Sequence, residues 1–489
     1  LDEVYDVINC GSGAGKEHGT QRIKGRDRLA VFSRFIREIR SVAISGLEFL
    51  RSQEKNGEMA DFVYLVKLFN STEQEHSKHK KALYRWNIVD EDGKPLRILQ
   101  SMHQIGMTKD YIVLAETVFK NGLHQLVTSI FQGRIEKLVR DLLDYRQGDK
   151  TRLYIIKRSE LKQKAEHLPN VKAKRIEIER PIAHLLLDYD NPGEKIVLHC
   201  VNNIGWDSAS WVRDIDVEDT QSTPSGKTNL VKKLYTGMAT GSTDSCTFAR
   251  YTIDMSGKDT EGSGVYTELL ARDSEPNSLW NIALYAFCPS ADGITPPSKI
   301  RHIFWSGWGN HINILPDYVL NQNKDAKNRM FTIDYAKKSA VDRPDRDVVP
   351  ATLVHLDTDS MTIRQKYSYP LNAIGNSIQF IPRKGSQPGS YEGYLLTVVH
   401  LSNQANDLPG VSQIWIFDAR DLERGPICKL ASNGIKLGFS LHSTWIPTIE
   451  KRVASYRISA REDYDDYLID EDYKQFFNEY VYSLSLIHI

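Results

Sequence analysis

Residues 414–447 read IWIFDARDLERGPICKLASNGIKLGFSLHSTWIP. The apolar run at 414–417 predicts a buried strand, and the Asp-rich turn after it leads into a short returning strand. Between residues 435 and 441 every second side chain is apolar, which predicts a strand with one buried face. His442 follows directly. The stretch therefore predicts β-structure that ends at a histidine.

The same pattern of short strands recurs through most of the chain. Runs such as YIVLAET (111–117) and KIVLHCV (195–201) are separated by turn signals, among them Asn191-Pro192-Gly193. No exact internal repeat is visible, so a regular repeat array is not indicated. The sequence predicts an all-β sandwich, barrel or propeller over residues 61–450.

The composition of the 489 residues argues against several functional classes. Lysine plus arginine and aspartate plus glutamate both number 63, and this balanced charge argues against nucleic-acid binding. The five cysteines are scattered without a CxxC pair, so neither a disulfide framework nor a cysteine–zinc site is expected. No apolar run approaches the roughly 20 residues of a membrane-spanning helix. With no visible signal peptide, we expect a cytoplasmic protein.

The first 60 residues have a different character. The glycine loop at 11–15 lacks the GxGxxG spacing of a dinucleotide site, so we interpret it as a flexible loop. Residues 28–50 predict an amphipathic helix with several arginines. This helix packs on the protein body in one interpretation, and makes peripheral membrane contact in the other. We expect three domains: 1–60 with this loop and helix, 61–450 with the strands, and 451–489 as an acidic tail.

Residues 414–447 and 101–117 resemble two motifs of the carotenoid cleavage oxygenases. In the first, an Asp-rich turn and Gly425-Pro426 lead to His442, where that family has a metal-binding histidine. In the second, His103 is followed at the family's spacing by a threonine, a tyrosine and a valine.

A third segment, residues 182–200, is similar to another histidine motif of that family. His184 is followed by an aromatic residue, an acid, a turn and an Ile-Val strand. His199 is the alternative, because an asparagine lies three residues after it. We favour His184, since the turn and the strand that follow it are in register with the motif.

This resemblance implies a seven-bladed β-propeller with a helical N-terminal segment, and Fe(2+) bound by His103, His184 and His442. Neutral imidazoles suit Fe(II), and a site with open positions lets dioxygen bind beside a substrate. The family uses four histidines oriented by glutamates, whereas residues 45–50 contain no histidine and Ser377 stands where a glutamate is expected. Either the N-terminal part is replaced, or the site uses three histidines, or it no longer binds iron well.

The leading hypothesis is a non-heme Fe(II) dioxygenase that uses O2 to cleave a conjugated C=C bond into two carbonyl products. The substrate implied by the resemblance is a carotenoid, an apocarotenoid or a stilbene-like compound. The second hypothesis is a catalytically impaired propeller that binds an apolar ligand. A third, a flavin or nicotinamide enzyme, rests on the glycine loop alone. Aromatic residues are candidates to line an apolar tunnel: Trp206, Trp211, Phe304, Trp305, Trp308 and Trp445.

Overall fold

The structure is a computed structural model, and it describes the following residues: 4–10, 62–68, 84–96, 98, 100–117, 133–143, 146–162, 169–206, 210–218, 236–257, 266–275, 278–289, 296–311, 315–333, 348–387, 389–402, 411–432, 437–438, 441–444, 461, 474–475 and 477–482. The predicted glycine loop, the predicted helix at 28–50 and Trp445 lie outside them.

Five four-stranded sheets make up the described fold. Their strands, in hydrogen-bonded order, are as follows. Sheet 1 contains β1 (Val4–Cys10), β2 (Phe62–Leu68), β3 (Tyr84–Val89) and β7 (Asn170–Lys172); sheet 2 contains β4 (Ser101–Met107), β5 (Tyr111–Thr117), β6 (Thr151–Lys157) and β8 (Lys174–Ile178). Sheet 3 contains β9 (Ile182–Leu187), β10 (Lys195–Asn202), β11 (Thr247–Asp254) and β12 (Tyr266–Ala271). Sheet 4 contains β13 (Ile282–Phe287), β14 (His302–Gly307), β17 (Thr352–Asp357) and β18 (Thr362–Ser368); sheet 5 contains β19 (Ala373–Pro382), β20 (Gly393–Leu401), β21 (Val411–Asp418) and β22 (Cys428–Leu430). A two-stranded ribbon, β15 (Asn310–His311) with β16 (Val348–Val349), lies between β14 and β17 in the chain.

Consecutive sheets pack face to face through apolar side chains. Between sheets 2 and 3, Val113 and Leu153 share a buried cluster with Leu198 and Tyr251. Equivalent clusters join sheets 1 and 2, sheets 3 and 4, and sheets 4 and 5. A central strand such as β5 is therefore buried at every position, which explains its nearly continuous apolar sequence.

The first strands of the five sheets lie next to one another. Contacts join β1 to β4, β4 to β9, β9 to β13 and β13 to β19, in chain order. We call these five strands the inner strands. Stacked four-stranded sheets with neighbouring first strands have the arrangement of propeller blades, so the predicted all-β propeller class is confirmed. The predicted number of seven blades stays a prediction.

The predicted strand at 435–441 is wrong for the residues that the structure describes there. Leu437, Gly438 and Leu441 are not in a strand, although the returning strand before them is present as β22. The Leu437 carbonyl accepts a hydrogen bond from the Ser412 hydroxyl, at 2.8 Å. Leu437 is thus bonded to a side chain of β21 and not to its backbone in this contact.

Helices are short where the structure describes them. The α-helices are α1 (Gly133–Leu143), α2 (Asp214–Glu218) and α3 (Asp317–Gln322). There are also 3-10 turns at Arg158–Lys162 and Pro192–Glu194 and a π-helical turn at Phe477–Val481. Two largely buried ion pairs join α1 to the segment of α2: Arg140 with Asp216 at 2.8 Å, and Arg213 with Glu136 at 3.0 Å. Among the described residues, no helix is both long enough and apolar enough to cross a membrane.

Candidate metal centre

Each of four inner strands carries an irregularity in its pairing with the second strand of its sheet. In β4 it lies between Met102 and Ile105, where the two residues His103 and Gln104 face the single residue Ala115 of β5. In β9, β13 and β19 the corresponding interruptions include His184, Ala283 and Ser377. A bulge of this kind bends the strand and redirects side chains. His103 and His184 both stand at such bulges.

The third histidine, His442, is attached to the fifth inner strand through its neighbour Ser443. The Ser443 hydroxyl donates to the carbonyl of Ser377, at 3.0 Å, and Gln379 donates from its side chain to the Ser443 carbonyl, at 2.5 Å. Ser377 has a positive φ of 50°, which its place in the bulge of β19 explains. Ser377 stands where the family has a glutamate. This part of β19 therefore holds Ser443, the neighbour of His442, through the Ser377 carbonyl and the Gln379 side-chain amide.

The three histidines converge. The Nε2 atoms of His103 and His184 are 3.2 Å apart, with ring centroids at 5.0 Å. The ring centroids of His184 and His442 are 5.5 Å apart. One nitrogen from each of the three rings lies within 4.8 Å of the others. Residues that are 81 and 258 positions apart in the chain thus meet at one point.

Burial and the proximity of other imidazoles favour the neutral forms of His184 and His103. Burial, followed by the neighbouring His103 and His442, lowers the pKa of His184 to about 3, against the opposing effect of a hydrogen bond with the Ala283 backbone. Partial burial of its ring, followed by the neighbouring His442, also lowers the pKa of His103. His184 is buried, whereas His103 and His442 are exposed. The cluster therefore has one buried ring and two rings that solvent can reach.

This donor set fits a transition-metal ion. Imidazole nitrogens bind such ions at about 2.0–2.1 Å, so two nitrogens on one ion are roughly 3–4 Å apart. The His103 and His184 nitrogens already meet this separation. An approach of about 1 Å by the exposed His442 side chain brings the third nitrogen into the same range.

The rival histidine, His199, lies elsewhere. Its Nε2 contacts the Asp188 carboxylate at 3.1 Å, and the same carboxylate oxygen accepts from the Ile300 amide at 2.8 Å. Both side chains are almost fully buried. His199 therefore takes part in a hydrogen-bond network that connects sheets 3 and 4. Of the two alternatives, it is His184 that lies in the histidine cluster.

The aromatic residues suggested for a tunnel are distributed over different environments. Phe304 and Trp305 are fully buried in the packing between sheets, and Trp211 is 46% exposed on the surface. Trp206 and Trp308 meet edge to face, with ring centroids 6.0 Å apart, and pack with Ala183 and Ala283. Ala183 precedes His184 in the chain, and the backbone of Ala283 forms a hydrogen bond with the His184 side chain. Among the candidates that the structure describes, these two pack against residues of the bulges in β9 and β13.

Sequence reasoning missed two residues at the cluster, Gln104 and Tyr285. The Tyr285 ring lies edge-on to the His184 ring at 6.1 Å, and its hydroxyl accepts a hydrogen bond from Gln104. In the sequence, the one indication that Gln104 lies near the cluster is its position directly after His103. Nothing in the local sequence marks Tyr285, because its strand is brought here only by the packing of sheets.

The comparison with family models agrees with the motifs. A family model described as retinal pigment epithelial membrane protein matches residues 57–447. Among solved structures, the lignostilbene dioxygenase of Pseudomonas brassicacearum is similar at 12% identity over 79% of this chain and 60% of its own, with a TM-score of 0.42. The Dos1 propeller is similar at 8% identity over 77% of this chain and 57% of its own, with a TM-score of 0.29. This chain therefore spans about 60% of the length of the dioxygenase. No curated protein matches the chain.

Proposed function

Because the chain belongs to the retinal pigment epithelial membrane protein family of the carotenoid oxygenase superfamily, we propose that it is a non-heme Fe(II) oxygenase. Its reaction is the O2-dependent cleavage of a conjugated C=C bond. The observation that carries this proposal is the convergence of three histidine nitrogens within 4.8 Å.

His103, His184 and His442 are the proposed metal ligands. When bound, ferrous iron supplies the activation of dioxygen for addition to an alkene. The protein's part is to bring three imidazoles from separate segments of the chain to one point, where they would hold the metal. Since His103 and His442 are exposed, substrate and dioxygen are expected to approach from their side.

The proposed substrate is an apolar conjugated compound: a carotenoid, an apocarotenoid or a stilbene-like molecule. Trp206 and Trp308 support an aromatic or polyene partner, because they pack beside Ala183, the residue before His184. Indole rings offer flat apolar surface to such a partner. The indole rings pack against the small side chains of Ala183 and Ala283.

The proposal is tested by anaerobic Fe(II) loading followed by desalting and iron analysis. We expect about one equivalent per chain for the wild type, and a loss of roughly tenfold or more in affinity for H184A, because one of three ligands is removed. H400A is the matched control, since His400 is a half-buried histidine that pairs with Ser412 on β20 and β21. Less than about a tenth of an equivalent in the wild type would reject the metal centre.

Activity is tested by supplying the iron-loaded protein with an apocarotenoid or a hydroxystilbene under 18O2. Cleavage is expected to give two carbonyl products, with label incorporated from dioxygen. A second candidate function, binding of an apolar ligand without cleavage, is favoured by Ser377, which stands in place of a metal-orienting glutamate. Tight binding of the apocarotenoid with no aldehyde in the iron-loaded protein would support this second function.

A further inference from the structure

Gln104 lies where three inner strands meet. It follows His103 in β4, and its side chain reaches β9 and β13. The close approach of β4 to β9 is also visible at Gly106, where an added Cβ would lie 2.6 Å from the Leu187 side chain. The amide of Gln104 therefore occupies a narrow junction of sheets 2, 3 and 4.

The Gln104 amide makes three hydrogen bonds there. Its Oε1 accepts from the Leu185 backbone N–H at 2.9 Å, and its Nε2 donates to the Leu185 carbonyl at 2.8 Å. The second Nε2 hydrogen is available to the Tyr285 hydroxyl, also at 2.8 Å. Both N–H groups of the amide and its oxygen are thus used. The side chain pairs with the free edge of β9 as a neighbouring strand would.

The hydrogen bonds between Gln104 and Leu185 matter because both residues are neighbours of cluster histidines in the chain. Gln104 adjoins His103, and Leu185 adjoins His184. A pair of hydrogen bonds between Gln104 and Leu185 therefore links the two residues next to the histidines whose Nε2 atoms are 3.2 Å apart. Backbone movement that separates the rings would strain these two bonds.

We propose that Gln104 is a positioning residue that sets the distance between the His103 and His184 rings, and so the metal affinity of the centre. This inference rests on the proposed function, because it requires the histidines to bind a metal. Gln104 acts through the peptide of Leu185, the residue after His184. Tyr285 contributes less, since it takes only one of the three bonds.

Anaerobic Co(II) titration, followed by the visible absorption bands of the bound ion, measures the affinity and the ligand geometry together. For Q104L we expect the Kd for Co(II) to rise about 10- to 100-fold, with altered bands, as for outer residues that orient metal ligands. For Y285F, which keeps both bonds to Leu185, we expect a rise of only a few-fold.

Gln147 provides the matched control. Its amide makes the same two-point contact with backbone elsewhere, accepting from Gly205 N–H at 2.8 Å and donating to the Trp206 carbonyl at 3.2 Å. Q147L is expected to lower the melting temperature about as much as Q104L does, and to leave the Kd for Co(II) within about threefold of the wild type. A purely structural role for Gln104 would instead make the two variants alike.

Q104N is the second variant, in case Q104L does not fold. It keeps the amide but shortens its reach by one methylene, and the same increase in Kd is expected. Equal Co(II) affinity and identical bands in the wild type and in the folded Gln104 variants would overturn the role of Gln104 alone. A wild-type chain that takes up no Co(II) would overturn the metal centre and this inference with it.

Discussion

His302 and His355 form a second pair of histidines, between sheets 4 and 5. His355 Nε2 and His302 Nδ1 are 3.0 Å apart, and the His355 ring stacks on Phe304 at 4.6 Å. Burial, followed by His302 and Arg364, lowers the pKa of His355 to about 3, against the opposing effect of Asp357. Burial lowers the pKa of His302 as well. This pair is therefore held neutral inside the protein.

The neutral pair predicts loss of stability in acid. Well above pH 6.5, His355 is neutral in both the folded and the unfolded chain, and it adds no pH dependence. As the pH falls below 6.5, the unfolded chain takes up a proton that the folded chain accepts only near pH 3. His355 alone is expected to lower the free energy of unfolding by about 2 kcal/mol between pH 7 and pH 5.

Denaturant unfolding of the wild type and of H355Q at pH 5, 6 and 7 measures this effect. Glutamine keeps a donor for His302 but does not titrate. The variant should therefore lose less stability than the wild type between pH 7 and pH 5. Parallel pH profiles for the two proteins would contradict the prediction.

At the scale of elements, the bulges of the inner strands determine where the histidines point. Strand β4 places His103 at its bulge, and β9 places His184 at its own. Gly106 then lets these two strands approach, because its missing side chain leaves room for Leu185 and Leu187. The geometry of the cluster depends on this approach as much as on the histidines.

Replacing Gly106 by alanine is expected to destabilise the protein by about 1–3 kcal/mol, because the new Cβ meets side-chain atoms of Leu187 at 2.6 Å and of Leu185 at 2.8 Å. The measurement is denaturant unfolding at pH 7. G148A is the control, since an added Cβ there comes no closer than 3.4 Å to its neighbours. A G106A protein as stable as G148A would show that the neighbouring leucines move aside at no cost.

At the scale of the whole molecule, stacking buries both faces of the central strands. In β17, Leu353 lies in the cluster between sheets 4 and 5, and its neighbour Val354 lies in the cluster between sheets 3 and 4. Both side chains are fully buried. In a sheet with one solvent-exposed face, one of two adjacent side chains in a strand would be exposed.

This packing predicts that truncation of either neighbour is costly. L353A should lower the free energy of unfolding by about 2–5 kcal/mol and V354A by about 1–3 kcal/mol, because each leaves a cavity between sheets. L269A, on the edge strand β12 and 46% exposed, should change it by less than about 0.5 kcal/mol. The check is urea unfolding of the three variants. A neutral V354A would argue against the stacked arrangement.

Much of the fold could be predicted because strand patterns are local. Apolar runs bounded by turn residues became β5, β10 and β21, and the turn at Asn191-Pro192-Gly193 is present as a single helical turn with Gly193 at a φ of 65°. The strand predicted at 435–441 failed in its described residues, since alternation alone cannot tell whether a partner strand is available. Motif spacing selected His103, His184 and His442, and the structure brings them together.

The amino-acid sequence by itself determined the β-rich class, the family and the three candidate histidines, because strand periodicity and motif spacing are properties of neighbouring residues. Only the tertiary structure decided that His184 and not His199 joins the cluster, that bulges direct the rings, and that Gln104 pairs with Leu185. These features arise where strands distant in the chain pack edge to edge, and local sequence carries no record of that packing.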